Sequence, residues 1–169
     1  MAMLSFDIRS LDARAETVDG RLAPDDPVWQ EVDVRPSEPM RVTGRLSSAG
    51  AGRYYFSGRI EGGFSAECRR CLTDVQSSVS DEVHALFAEE DEQSADDPDV
   101  FPIDPRSHAL DLRPAVREQW LLSVPQFVQC REDCKGLCPT CGADLNAGPC
   151  DCPPATDSRW AALRPARDE

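Results

Sequence analysis

Eight cysteines carry the chemistry of this chain, and they come in close pairs: Cys68 with Cys71, Cys130 with Cys134, Cys138 with Cys141, and Cys150 with Cys152. Three pairs crowd into one stretch, CREDCKGLCPTCGADLNAGPCDC, and the fourth, CRRC, lies about sixty residues upstream. Two cysteines this close wrap one turn around a metal, and two such pairs complete the four-sulfur tetrahedron of a structural Zn²⁺ ion. Eight thiols are enough for two sites. The tightest local set is Cys138, Cys141, Cys150 and Cys152. Cys68, Cys71, Cys130 and Cys134 then close a second site, joining the β-region to the segment after the main helix. Two other arrangements stay open: Cys68 and Cys71 joined with Cys138 and Cys141, or a single zinc with spare thiols. In CPTCG, proline and glycine shape a tight turn whose backbone N–H groups can point at the thiolates. Arg69, Arg70, Arg131 and Lys135 lie within or beside the pairs and are expected to offset the thiolate charge.

Competing chemistries find little support. A thioredoxin-type CxxC follows a strand and opens a helix, a setting neither CRRC nor CPTCG has. Catalytic zinc keeps an open position and takes His or carboxylate ligands. The two histidines, His84 and His108, stand outside any ligand motif and read as ordinary residues. A zinc deaminase needs His-x-Glu and Pro-Cys-x-x-Cys; here the proline follows the cysteine. Walker, GxGxxG and GxSxG motifs are missing from the sequence. The expectation is therefore a non-enzymatic, metal-stapled binding module. Two alternatives of other classes remain: an RNA-processing nuclease using the acidic stretch, with Asp96 and Asp97 as its carboxylates, and a redox sensor acting through its thiols.

The elements that must position the cysteines are mostly strands. At 169 residues the chain has room for one domain plus a small appendage, and such a length buries a core without help from metal. Residues 4–9 and 28–34 alternate apolar and polar, as does Met40 to Leu46, with Met40, Val42 and Leu46 on one face. A turn at 50–52 leads into Tyr54 to Phe64, whose glycines predict a bulge or bend. Of Tyr54, Tyr55 and Phe56, at least one is expected in the core, and the aromatics could also stack bases. Residues 75–88 predict a further strand. Residues 100–103, VFPI, contain a proline that disfavours a central strand. One helix is predicted over 112–124, with Asp111 as N-cap, an apolar stripe of Leu112, Val116, Trp120, Leu121 and Val124, and Pro125 as its stop. The tail from 157 predicts one short helical turn. The fold class is thus α+β: an antiparallel β-rich domain over 1–128 with an acidic loop (89–99) and one packed helix, then a zinc-binding segment and tail over 129–169.

The net charge of −13 argues against general nucleic-acid binding, but its distribution matters. Eleven acids and no Lys or Arg fall between Arg70 and Arg106. The rest of the chain is nearly neutral and has the means for a local basic patch. The first twenty residues lack an apolar leader core, and no apolar run reaches membrane-spanning length, so a cytoplasmic protein is expected.

The combination of CRRCL at 68–72, an acidic spacer, LDLRPAVREQWLLSVP at 110–125, the cysteine block at 130–152 and the ending DSRWAAL resembles the YceD-type large ribosomal RNA subunit accumulation proteins over roughly residues 40 to 165. Some branches of that family keep only the first CxxC. The resemblance implies a bacterial cytoplasmic factor needed for normal accumulation of large-subunit (23S) ribosomal RNA, acting in large ribosomal subunit biogenesis. Its partners would be the large-subunit rRNA precursor, basic ribosomal proteins, or both.

Overall fold

The computed structural model describes residues 4–50, 52–89, 99–104 and 106–153. They fall into two compact units, one of residues 1–66 and 76–126, the other of residues 67–75 and from 127 onward. The acidic residues 90–98, with Asp96 and Asp97, and the tail from 154 lie outside the described residues.

The first unit is β-rich. Strand β1 (Ser5–Asp7) pairs antiparallel with β7 (Ala109–Asp111). The main sheet has five strands in the order β2 (Glu16–Leu22), β3 (Met40–Gly50), β4 (Arg53–Glu67), β5 (Asp74–Glu89) and β6 (Val100–Ile103). β2, β3 and β4 run as an antiparallel meander, and β6 joins the edge parallel to β5. The proline in VFPI is consistent with that edge place, since Pro102 has no N–H to offer a further strand. Alternation sorts the side chains: Val18, Val42, Leu46, Phe56, Ile60, Val83 and Phe87 are buried on one face.

Helix α2 (Arg113–Ser123) contributes Ala115, Val116 and Trp120 to that core. The Trp120 ring meets Trp29 and Phe64 edge-on at 6.1 and 6.2 Å, and its Nε1 donates to the Val34 carbonyl at 2.9 Å. A buried indole needs such a partner. The helix also fastens its far end to β5: the Asp81 carboxylate accepts from Ser123 Oγ at 2.6 Å and Gln119 Nε2 at 3.1 Å.

Several expectations are corrected. Only residues 5–7 of the 4–9 segment are strand; Asp7 caps a short helix, α1 (Ile8–Ala13), by accepting from the Arg9 N–H. Residues 28–34 form no strand. Asp26 caps a 3₁₀ turn, Pro27–Trp29, and Trp29 is held inward by its bond to the Ala23 carbonyl at 2.9 Å. Two strands, β2 and β7, have no counterpart in the sequence reading. The glycines of β4 make no bulge in the β3–β4 register, where Gly58 pairs regularly with Gly44; the irregularity lies at Ser48/Gly50. The buried Phe56 ring covers this glycine pair: its atoms would stand 2.9 and 2.6 Å from a Cβ at Gly44 and Gly58. Along α2, Leu112 is buried as predicted, but Leu121 is exposed. Leu112 holds the capping position without a side-chain bond, while the Asp111 carboxylate takes the Arg113 N–H at 2.9 Å.

Candidate metal centres

All eight cysteines lie in the second unit, and the chain gathers them into two groups. One holds Cys68, Cys71, Cys130 and Cys134; the other holds Cys138, Cys141, Cys150 and Cys152. Within each, the sulfurs lie within 4.8 Å of one another. In the first group, Cys68 Sγ is 3.9 Å from Cys134 Sγ, and Cys71 Sγ is 3.6 Å from Cys130 Sγ. Those distances are too long for a disulfide. They suit the edges of a sulfur tetrahedron around Zn²⁺, whose ~2.3 Å bonds place the sulfurs about 3.8 Å apart. Each group can hold a metal ion.

Local backbone bonding explains how two distant pieces of sequence build the same turn. In CRRCLT the Cys68 N–H donates to the Thr73 carbonyl, and the Leu72 N–H returns to the Cys68 carbonyl, both at 2.9 Å. In CPTCGA the Cys138 N–H donates to the Ala143 carbonyl at 2.8 Å, and the Gly142 N–H returns to the Cys138 carbonyl at 2.9 Å. Both turns close through left-handed backbone, φ +59° at Leu72 and +74° at Gly142. Glycine takes that conformation freely, whereas leucine rarely does.

This turn aims N–H groups at the first sulfur of each pair. The Cys68 thiol is lowered to about 6, first by the Cys71 backbone N–H, then by those of Arg70 and Cys130. The Cys138 thiol is likewise lowered to about 6, by the backbone N–H groups of Cys141 and Thr140; the Thr140 nitrogen is 3.4 Å from the sulfur. Cys71 is lowered by its bond with the Thr73 hydroxyl. The companions move the other way. Cys130 is pushed up to about 12, chiefly by the Cys134 sulfur, and Cys152 to about 12, chiefly by that of Cys141. At Cys150 the Cys152 N–H pulls down, but the crowded Cys138 and Cys141 sulfurs outweigh it and the thiol is raised. Four thiols this close resist shedding all their protons together; a cation at the centre reverses that balance.

Three of the flanking basic residues, Arg69, Arg70 and Arg131, have partners other than the sulfurs. Arg70 donates to the Cys134 carbonyl at 2.7 Å. Arg69 lies over the Phe127 ring at 5.4 Å, and Arg131 bonds Asn146 and Asp133. A residue missed in the sequence, Asn146, does reach a sulfur. Its Nδ2 donates to Cys134 Sγ at 3.6 Å, while its Oδ1 accepts from the Lys135 N–H and from Arg131, each at 2.8 Å. The only hint in the sequence was an amide in the spacer between two cysteine pairs.

The remaining candidates are unremarkable in place. His84 is an exposed β5 residue whose Nδ1 meets the Tyr55 hydroxyl at 3.0 Å, and His108 is exposed, lending its carbonyl to the Ile8 N–H. Neither approaches a cysteine group as a ligand. Tyr54 and Phe56 are core; Tyr55 faces out. No helix among the described residues is long and apolar enough to cross a membrane.

The model of the family described as "Large ribosomal RNA subunit accumulation protein YceD" matches residues 56–165, a span that includes both cysteine groups. The chain belongs to the YceD family. An uncharacterized protein of Mycobacterium tuberculosis is 33% identical over 100 residues, covering 57% of this YceD-family chain and 47% of the relative; one of Mycobacterium bovis matches to the same extent. The uncharacterized protein YlbN of Bacillus subtilis is 30% identical over 113 residues, 66% of this chain and 64% of its own length. The chain spans about half the length of the mycobacterial relatives it matches. No solved structure matches.

Proposed function

We propose that this protein supports accumulation of large-subunit ribosomal RNA without catalysing a reaction, as a cytoplasmic binding module whose second unit is stapled by two structural Zn²⁺ ions. The observation that carries this reading is the pair of four-cysteine groups at tetrahedral spacing, each built on the same backbone turn, inside the span matched by the family model. The four thiolates of each group would hold the ion, which would supply a structural cross-link there and no catalytic position. The chain's own residues do the rest. Backbone N–H groups stabilise the lead thiolates, Arg70 and the Leu137 N–H tie the first turn to the following segment, and Asn146 braces Cys134. The result is a rigid surface for a partner, which we assign to the precursor of large-subunit rRNA or to basic ribosomal proteins bound to it. The acidic residues around 89–99 suit the latter.

The test is gradient sedimentation of tagged protein from cells, with the RNA and proteins of each fraction identified. Co-sedimentation with precursors of the large subunit is expected. Absence from every such fraction, with no rRNA recovered, would overturn the reading.

A further inference from the structure

The chain has 31 acids against 18 Lys and Arg, yet one face of the main sheet gathers five arginines. Alternation in the main sheet sends Val18, Val42, Phe56 and Ile60 to the core, so their neighbours in sequence form the opposite, outer face. That face presents Arg21, Arg41, Arg45, Arg53 and Arg59 on β2, β3 and β4, all exposed, among the carboxylates of Asp19, Glu61 and Glu82, with Glu67 and Asp74 at the ends of β4 and β5.

Two of these arginines stand directly opposite each other in the β2–β3 register, Arg21 facing Arg41. Like charges in that position destabilise a sheet. Arg41 is partly relieved by Asp19 at 3.4 Å, and Arg59 by Glu82 at 3.3 Å. Arg21, Arg45 and Arg53 make no side-chain hydrogen bond or ion pair among the described residues. Hydroxyls lie between them: Thr43 is opposite both Asp19 and Arg59, and Ser57 is opposite Arg45.

The face has one large apolar group, the Tyr55 ring, which is 40% exposed and stacked with His84 at 6.1 Å and 15°. The other exposed large apolar residues, Leu72, Leu121, Leu122 and Phe127, lie on none of these strands. A protein partner ordinarily requires an apolar centre within a polar rim. Unengaged guanidinium groups, hydroxyl donors and a single exposed ring pair instead match a phosphate backbone with a base to stack.

We propose that the outer face of the five-stranded sheet binds single-stranded RNA, with Arg21, Arg45 and Arg53 on phosphates and the Tyr55–His84 pair under a base. This rests on the reading of the protein as an rRNA factor and says where on it the RNA sits.

The measurement is fluorescence anisotropy of the full chain with a labelled single-stranded RNA of about 16 nucleotides, across a salt series. The triple variant Arg21→Gln/Arg45→Gln/Arg53→Gln should bind at least tenfold more weakly and flatten the log–log salt slope by about 2, since each neutralised phosphate contributes about 0.7 on single strands. Tyr55→Ala should weaken binding about tenfold and leave the slope unchanged. Glu61→Gln, which removes a repelling charge, should tighten binding. All these side chains are exposed, so thermal midpoints should stay near that of the parent. A triple variant with the parent's affinity and slope would overturn the proposal, as would a parent that binds no RNA or a face that captures an acidic protein instead. Sedimentation of the same triple variant separates the two readings. If parent and variant both travel with large-subunit precursors, the face is wrong and the function stands. If the parent binds RNA through this face but never travels with those precursors, the face stands and the function is wrong.

Discussion

The amide of Asn146 donates to the sulfur of Cys134 at 3.6 Å, although Asn146 belongs to the loop between Cys141 and Cys150. A residue carried by one cysteine group therefore braces the other. Groups that orient a ligand without touching the metal typically alter affinity by about 10- to 100-fold. Asn146→Ala should release metal from the first site at least tenfold more readily and leave the second unchanged, as read by transfer to a chromophoric chelator. Asn146→Asp keeps an acceptor for the Lys135 N–H but sets a carboxylate beside the thiolate, so its loss should be at least as large. Release identical to the parent would remove Asn146 from the site.

Metal content gives a direct count. Purified protein should carry two zinc ions per chain, one for each four-cysteine group that can hold a metal. Cys68→Ser and Cys138→Ser should each retain one, and the double variant none, by elemental analysis. Loss of both ions from either single variant would mean that the groups do not bind independently.

The two cysteine turns share their bonding but differ at one residue. Gly142 has open space around its Cβ position and φ +74°, so Gly142→Ala meets no clash and pays only for left-handed backbone, about 1–2 kcal/mol. That should weaken the second site roughly tenfold. Leu72→Gly, which relieves the same backbone at the first turn, should not weaken its site at all. Metal competition on both variants checks the contrast.

In the first unit, Trp120 joins helix to sheet. Trp120→Ala removes a fully buried ring that touches Trp29 and Phe64 and a bond to Val34. The expected loss is about 3–5 kcal/mol, measured by urea unfolding. A loss below about 1 kcal/mol would contradict this packing.

Alkaline pH offers a separate test of the first unit. Burial, then the hydrogen bond to Asp12 at 2.8 Å, pushes the Tyr54 hydroxyl up from 10.0 to about 12. The folded protein thus holds this proton more tightly than the unfolded chain. The contribution is complete below pH 10 and is lost as pH rises toward 12. Between those limits the parent should lose stability more steeply than Tyr54→Phe. Parallel urea midpoints across that range would exclude the effect.

What could be read in advance follows from range. The alternation of Met40, Val42 and Leu46, and of Val79, Val83 and Phe87, reports burial residue by residue, so β3 and β5 were legible. Trp29 was not: Asp26 and Pro27 set a 3₁₀ turn that overrides the alternation after it. β2 is hidden in the sequence because a glycine holds one of its three buried positions, Val18, Gly20 and Leu22, and interrupts the apolar period. At the cysteines, spacing reveals which thiols can share a turn. It gives no sign of Asn146, because a bond between loops leaves no period in either.

The first cysteine group also has a consequence for how the protein is made. Its halves are separated by 59 positions between Cys71 and Cys130, and residues 76–126 of the first unit are synthesised in that interval. The second group spans only Cys138 to Cys152 and waits on little chain. On a ribosome adding residues from the N-terminus, CRRC emerges early and holds two unmatched thiols while β5, β6 and α2 are still being translated. Closing so long a loop is entropically harder than closing a short one, and folding of the intervening strands shortens the search. During synthesis the exposed CRRC pair is thus open to oxidation or to stray metal, a hazard that ends only when Cys130 and Cys134 arrive.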